Sequence, residues 1–174
     1  MSKSIKDLLF GIKVNKVDGM FICTYNKLTS LEGSPKHVEK EFDVGSNELI
    51  NLIGSPEDVG SFSAYGNKLT SLKGCPKIIK RTEHGGGLTV SNNKLTSLEG
   101  CPETIPSVFF FNSNPITSLE HFPKYCGLHV HIPWNKALKK QFKTQINVRS
   151  WIKKKGIIIK GEIRFITPGR YDEE

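Results

Sequence analysis

The sequence predicts an α/β solenoid in which about six short parallel strands stack side by side, and two observations predict it. First, the ten-residue unit NKLTSLEGSP recurs in related forms along the chain. Second, apolar residues stand five and three positions before the first asparagine of each unit, as Phe42 and Val44 do before Asn47. This alternation is typical of a strand with one buried face, and its repetition is typical of a solenoid. The units begin, at intervals of 21, 20, 26 and 21 residues, at Asn26, Asn47, Asn67, Asn93 and Asn114.

Together these positions give the pattern L-x-L-x-x-N-x-L-x-x-L, which is the frame of a leucine-rich repeat. We expect the inward strand residues to stack about 4.8 Å apart from turn to turn and to form the core. The asparagines should satisfy buried backbone groups of neighbouring turns. The leucines that follow them should fill the convex side, where the proline that ends each unit disfavours a long helix.

Two places depart from the regular unit. The 26-residue interval contains three glycines, which predict a bulging loop at Gly85–Gly87 and not a phosphate-binding loop, because no Lys-Ser/Thr pair follows them. A sixth strand is predicted at Leu128-x-Val130, where the in-and-out alternation continues after Pro123.

A stack of repeats exposes an apolar face at each end, so we expect the ends of the chain to cap it. Residues 1–20 are predicted to form an N-terminal cap with a short helix over Ser4–Phe10, and residues 21–132 form the repeats. Residues 133–174 are predicted to form a basic C-terminal cap with an acidic tail. Its apolar residues recur every four positions and predict one amphipathic helix, followed by a hairpin or an added strand. Those residues are Trp134, Leu138, Phe142 and Ile146.

Composition narrows the class of protein. The 174-residue chain is 37% hydrophobic and has no apolar run of the roughly 18 residues that a membrane-spanning helix needs. The N-terminal sequence lacks the apolar stretch of a signal peptide, and four dispersed cysteines fit a reduced protein, so a cytoplasmic location is predicted. No nucleophile–base pair or phosphate-binding motif stands out. The sequence therefore predicts a protein that is not an enzyme and needs no cofactor.

The net charge of +8 is concentrated near the C-terminus. Residues 1–135 carry 14 Lys and Arg against 13 Asp and Glu, whereas residues 136–164 carry 10 basic residues against Glu162 alone. Electrostatic attraction to phosphate or to an acidic protein would therefore come from this end of the chain.

The NKLTSLEGCP unit, with 20 to 21 residues per turn, resembles the leucine-rich-repeat proteins encoded by large tailed bacteriophages. The likeness runs from about Ile12 to Pro123. The chain resembles the repeat domains of bacterial effector ligases less closely, because their units carry Leu-Pro pairs where this chain has Leu-Glu-Gly or Leu-Lys-Gly. The phage resemblance implies a small accessory protein made in the cytoplasm of an infected bacterium. It supplies no catalytic residues.

The outward-facing strand residues are the candidate binding surface, because they would form columns on the concave face. A few apolar or aromatic side chains usually carry most of the energy of an interface. Exposed aromatic residues can also merely support strand pairing. His129-x-His131 has the spacing of two metal ligands, but two are too few, and no metal is predicted. The predicted protein-binding residues are Ile22, Tyr25, Asp43, Tyr65, Phe110, His129 and His131.

Two functions follow from these features. The first is a non-catalytic module that binds and blocks a host protein, with defence proteins among the candidates, through the concave face. The alternative is a nucleic-acid-associated protein that binds through the basic segment around Trp151. The sequence leaves the oligomeric state open. The residues predicted for the alternative are Lys139, Lys140, Lys143, Arg149, Lys153, Lys154 and Lys155.

Overall fold

The computed structural model describes residues 3–82 and 86–167 and is an α/β structure in which short strands pair in parallel. In chain order the elements are α1 (Ile5–Leu8), β1 (Lys16–Val17), β2 (Phe21–Ile22), β3 (His37–Asp43), β4 (Asp58–Ser63), β5 (Ile78–Ile79), β6 (Leu88–Thr89), β7 (Thr104–Ile105), β8 (Phe109–Phe110), β9 (Tyr125–Cys126), β10 (Val130–Pro133), α2 (Lys136–Phe142), α3 (Gln145–Lys154), β11 (Ile158–Ile159) and β12 (Ile163–Ile166).

The first row of strands contains the alternating segments that the sequence predicts. Strand β2 pairs with the second half of β3, and the order then continues through β4, β6, β8, β10 and β12. Equivalent residues of successive units pair with one another, so that Phe21 lies opposite Phe42, Phe42 opposite Phe62, and Leu88 opposite Phe109. The repeat in the sequence is therefore also a repeat of strand pairing.

A second row of parallel strands was not predicted. In this row β1, the first half of β3, the first half of β4 and β5 pair in turn, and all of these except β1 follow the proline that ends a unit. Farther along, β7, β9 and β11 form a separate three-stranded sheet. Pro35 and its equivalents thus lead into an extended segment and not into a helix, as their fixed φ favours.

The core lies between the two rows and is almost wholly apolar. The inward strand residues Phe42, Phe62 and Phe109 have no exposed surface, and the rings of Phe21, Phe42 and Phe62 stack at centroid distances of 5.6 Å. The paired leucines of the units complete it, as predicted. All of them are fully buried: Leu28, Leu31, Leu49, Leu52, Leu69, Leu72, Leu95, Leu98, Ile116 and Leu119.

The asparagines form a ladder that ties adjacent turns together, in agreement with the predicted role. The Oδ1 atom of Asn47 accepts hydrogen bonds from the N–H groups of Asn26 and Leu28, both at 2.9 Å. Its amide nitrogen donates to the carbonyl oxygens of Cys23 and Val44. One buried side chain thereby satisfies backbone groups of two turns, which water cannot reach.

The N-terminal end contains the expected short helix. Ser4 caps α1 by accepting from the N–H of Asp7, whose carboxylate accepts from the N–H of Ser4 in return. Ile5 is fully buried, and the N–H of Lys6 donates to the carbonyl of Glu32. The helix therefore covers the first leucine-containing turn.

The C-terminal end differs from the prediction in its helices. The predicted single helix is two helices, because Lys143 has a φ of +63° and Thr144 caps a new helix. As a result Ile146 is 72% exposed, and Val148 and Ile152 are the buried residues of α3. After the helices, the predicted added strand is present, because β12 pairs in parallel with β10, whereas the alternative of a hairpin is not formed, because β11 pairs with β9.

The described part of the glycine-rich insertion packs closely against neighbouring turns. Gly85 lies outside the described residues, but Gly86 and Gly87 are buried. A Cβ atom would come within 2.1 Å of the Lys80 carbonyl oxygen at Gly86, and within 2.5 Å of the Val108 side chain at Gly87. Close approach of neighbouring backbone and side chains therefore requires glycine at these two positions, which lie in the irregular segment just before β6.

Candidate binding surface

A column of outward-pointing residues runs across the first row of strands. Parallel pairing places them side by side in the order Ile22, Asp43, Ser63, Thr89, Phe110, His131 and Arg164. The residues on either side of Phe110, Phe109 and Phe111, are fully buried, so Phe110 must point away from the core. With about 4.8 Å between strands, Ile22 and Phe110 are about 19 Å apart.

Several predicted anchors are exposed. The exposed fractions of Ile22, Tyr25 and Tyr65 are 55%, 81% and 48%. Phe110 is half-buried, because its ring stacks on the ring of His131 at a centroid distance of 4.1 Å. The column therefore offers an apolar group at Ile22 and an aromatic pair at Phe110 and His131, with Asp43 and the smaller Ser63 and Thr89 between them.

Tyr25 has an unusual backbone conformation. Its φ is +56°, and the equivalent residues of the later units, Ser46, Gly66, Asn92 and Ser113, also have positive φ. This left-handed conformation suits glycine and asparagine but costs a bulky residue of order 1 kcal/mol or more. An 81% exposed tyrosine thus occupies a position where glycine or asparagine would be more stable.

Asp43 has a local structural role. Its Oδ1 atom accepts a hydrogen bond from the N–H of Gly45 at 2.8 Å, which holds the end of β3 as the chain turns. Part of its hydrogen-bonding capacity is therefore used within its own turn.

The predicted register of the sixth strand is wrong by two residues. Val130, not Leu128, pairs with Phe109, and His131, not His129, lies beside Phe110. Leu128 is 45% exposed. The 21-residue interval that places Asn135 after Asn114 indicates the correct register; Asn135 donates to the Ile116 carbonyl at 2.8 Å and caps α2.

The two histidines lie in different surroundings. His129 accepts a hydrogen bond at Nδ1 from the N–H of Glu162, at 3.1 Å. Burial lowers the pKa of His131, and the nearby positive charge of Arg164 lowers it further. In the described ranges no group of three or more His, Cys, Asp or Glu side chains comes together to hold a metal ion.

Two residues of this surface were missed by the sequence prediction. Arg164 continues the outward column beyond His131, and its guanidinium pairs with Glu162 at 2.9 Å. The alternation Ile163-x-Phe165 indicated an added strand, but no asparagine or leucine unit follows it to set its register. Its outward residues could therefore not be assigned.

The basic residues of the C-terminal cap divide into two groups. The lysines of α2 and α3 are exposed. Arg149, in contrast, donates to the Ile163 carbonyl at 2.9 Å and lies 5.5 Å from the centre of the Phe165 ring. Trp151 is half-buried and packs edge-on against Phe142. Arg149 and Trp151 therefore help attach α3 to the rest of the chain.

Comparison with protein-family models, with curated proteins and with solved structures found no match to this chain. Function must therefore be inferred from the residues themselves. Among the residues that the structure describes, none of the helices combines the length and apolar character that crossing a membrane requires.

Burial disfavours the ionised form of the cysteine thiols. Burial raises the pKa values of Cys75 and Cys126 to about 12, and the pKa of Cys101 is also raised, first by burial and then by the neighbouring thiols. A thiol with such a pKa carries almost no thiolate at neutral pH and is a poor nucleophile.

A polar cluster outside the candidate surface links three turns of the second row of strands. The carboxylate of Asp58 lies 2.5 Å from Nδ1 of His37 and 2.7 Å from the ammonium group of Lys80. Its Oδ1 atom is shielded from solvent. This atom forms the ion pair with Lys80, but the angles between the two groups are not those of a good hydrogen bond. Lys80 first, and His37 second, lower the pKa of Asp58 against the opposing effect of burial.

This cluster should make stability depend on pH in acid. Because the pKa of Asp58 is lower in the folded than in the unfolded chain, its contribution is fully present above the unfolded pKa and is lost as the pH falls through the folded one. We expect Asp58→Asn to lower the urea midpoint at pH 7 and to lower it much less at about pH 3. Glu57→Gln, which alters an exposed surface pair with Lys36, is the control. An equal effect of Asp58→Asn at both pH values would contradict the assignment.

Proposed function

We propose that this chain is a leucine-rich-repeat solenoid that binds another protein through the outward residues of its first row of strands and performs no catalysis. The in-register pairing of equivalent residues and the asparagine ladder support the repeat assignment. A stack of this kind is rigid before binding, so little conformational entropy is lost when a partner docks.

The observation that carries the binding function is the set of exposed anchors on a preformed sheet. Tyr65 and Ile22 are about half exposed, and Tyr25 is retained in a conformation that costs stability. Aromatic side chains of this kind carry much of the energy of protein interfaces, while small neighbours such as Ser63 and Thr89 allow a partner to approach closely.

The phage resemblance of the NKLTSLEGCP unit supports the remaining parts of the proposal. It suggests an accessory protein made in the cytoplasm of an infected bacterium, where the partner is a host protein that is bound and blocked. Proteins of host defence are among the candidates.

Capture from bacterial lysate tests this function. The full chain should retain a protein partner after nuclease treatment and at both low and high salt, and Tyr65→Ala should weaken capture about tenfold or more. Ile53→Ala is the matched control, because Ile53 is similarly exposed, at 53%, but lies beside Cys75 and Ile78, away from the first row of strands. Both variants should keep the unfolding midpoint of the parent.

Three outcomes would contradict the proposal. Capture that is lost with nuclease would indicate a nucleic-acid bridge. Equal capture by Tyr65→Ala and the parent would remove this residue from the interface. Marked destabilisation by Tyr65→Ala would show that the ring supports strand pairing and not binding.

A further inference from the structure

We infer that the lysines of α2 and α3 and of their C-terminal caps form a second binding surface, distinct from the strand face. This surface binds the phosphate backbone of double-stranded nucleic acid without reading its sequence. We call these residues the lysine surface. They are Lys136, Lys139, Lys140, Lys143, Lys153, Lys154 and Lys155.

The lysine surface is electrostatically uncompensated. In the stacked part of the chain, lysines pair with acids one turn away, as Lys68 does with Glu48 at 3.1 Å and Lys124 with Glu103 at 2.8 Å. None of the seven lysines pairs with an acid among the described residues. The one acid of residues 136–167, Glu162, is bound to Arg164. These lysines therefore have no structural partner to explain them.

Helix stability accounts for only a part of this charge. Lys139 and Lys140 lie in the last turn of α2, and Lys153 and Lys154 in the last turn of α3, where cations favour the helix dipole. That interaction is worth about 0.3–1 kcal/mol per residue, is screened by salt, and needs one or two charges at each helix end. It does not require seven lysines together with no acid in either helix.

The buried faces of the helices hold the lysines outward. Leu138 and Phe142 on α2, and Val148 and Ile152 on α3, pack into the core. The lysine side chains are thus presented to solvent on two elements that contact each other. This arrangement suits a long, uniformly charged ligand, because counterion release then adds with each phosphate contacted.

Two residues of the C-terminal cap already have partners within the chain, and this indicates which class of polyanion the lysine surface binds. Protein interfaces depend on aromatic and arginine anchors, and single-stranded nucleic acid is usually held by stacking on exposed aromatic rings. Here Trp151 packs against Phe142, and Arg149 is bound to the Ile163 carbonyl. What remains is lysine, a point charge that contacts phosphate without base readout, so a duplex is favoured over an acidic protein or a single strand.

Fluorescence anisotropy with a labelled duplex of about 20 base pairs tests the inference on the full chain. We expect two unrelated sequences to bind within about twofold of each other, and binding to weaken at least tenfold between about 50 and about 200 mM salt. Lys153→Gln with Lys154→Gln should weaken binding at least tenfold at the lower salt and reduce the salt slope by about 2. Lys73→Gln with Lys77→Gln, at two exposed lysines of the stacked part, is the matched control and should bind as the parent does.

The same experiment can overturn the inference. Absence of binding at about 50 mM salt, or equal losses in the two double variants, would remove the lysine surface as a site. Tighter binding of poly-glutamate than of duplex would assign the surface to an acidic protein. Phe110→Ala should leave duplex affinity unchanged; a loss comparable to that of the Lys153 and Lys154 changes would show that the two surfaces are not distinct.

Discussion

Phe109→Ala is expected to lower the free energy of unfolding by about 3–5 kcal/mol, whereas Phe110→Ala, one residue away, should lower it by less than about 1 kcal/mol. Phe109 has no exposed surface, and its ring stacks on Phe111 at 4.6 Å and meets Phe122 edge-on at 5.9 Å. Its removal leaves a cavity that strands on both sides cannot fill. Phe110 points outward and has the ring of His131 as its aromatic contact.

Urea titration followed by circular dichroism measures both losses, provided that the slope of the unfolding free energy against urea is unchanged. His131→Ala is the control for the stacked pair and should resemble Phe110→Ala. If the strand face is the interface, Phe110→Ala should also weaken partner binding by about 2 kcal/mol or more. Equal destabilisation by Phe109→Ala and Phe110→Ala would mean that β8 is buried on both faces, and the proposed binding surface would have to be abandoned.

The parts of the fold that could be predicted are those in which one residue type has one physical task at a fixed spacing. The alternation of Phe42 and Val44 predicted a strand with one buried face, and the structure confirms both the strand and the burial. Asn47 predicted backbone hydrogen bonds between turns, which are also confirmed. Both predictions are strong because each position recurs in every turn. A polar residue at the inward strand position, or an apolar residue at the asparagine position, would lower the stability of any turn.

The second row of strands could not be predicted because its signal is weak. Each segment adds as few as two paired residues, such as Lys16–Val17 or Ile78–Ile79, and contributes one recurring apolar position, as in the paired column of Val17, Val38, Val59 and Ile79. Two-residue ladders depend on tertiary packing and not on local preference. The proline before most of these segments, such as Pro35 or Pro76, excluded a helix there but did not distinguish a strand from an irregular turn.

The errors in the predicted C-terminal helix and in the register of the sixth strand have one cause: in both places the spacing of apolar residues fits two structures. Ile146 continues the four-residue spacing of Leu138 and Phe142, but Thr144 is also a good helix N-cap, and the structure uses it as one. Leu128 and Val130 alternate as well as Val130 and Ile132 do, so alternation alone left the register open. The position of Asn135 resolves it, because the 21-residue interval extends over the whole unit.

The residues of the candidate surface could be predicted only in the strands whose register the repeat specifies. Ile22, Tyr25, Tyr65 and Phe110 lie at the solvent-facing positions expected of them. Arg164 and Glu162 follow the last complete unit, so their place beside His131 and His129 depends on a strand that the repeat does not specify.

Asn93→Ala is expected to lower the free energy of unfolding by about 3–5 kcal/mol, although alanine is small and fits a buried site. Oδ1 of Asn93 accepts from the Leu69 N–H at 2.9 Å, and its amide nitrogen donates to the carbonyls of Ala64, Val90 and Ser91 at 3.0–3.1 Å. Asn93 is 8% exposed, so water cannot replace these bonds. Each buried backbone group left unsatisfied costs about 1–3 kcal/mol.

The first asparagine of the ladder provides the matched control. Asn26 is half-buried, and its amide donates to the Thr24 carbonyl of its own turn, so Asn26→Ala should cost about 1 kcal/mol or less. Asn93→Asp should be at least as destabilising as Asn93→Ala, since it keeps the acceptor for Leu69 but places a carboxylate oxygen against the three carbonyls. Urea midpoints for the three variants test this order. Equal small losses for Asn26→Ala and Asn93→Ala would mean that packing of Leu69 and its equivalents, and not the asparagine ladder, holds adjacent turns together.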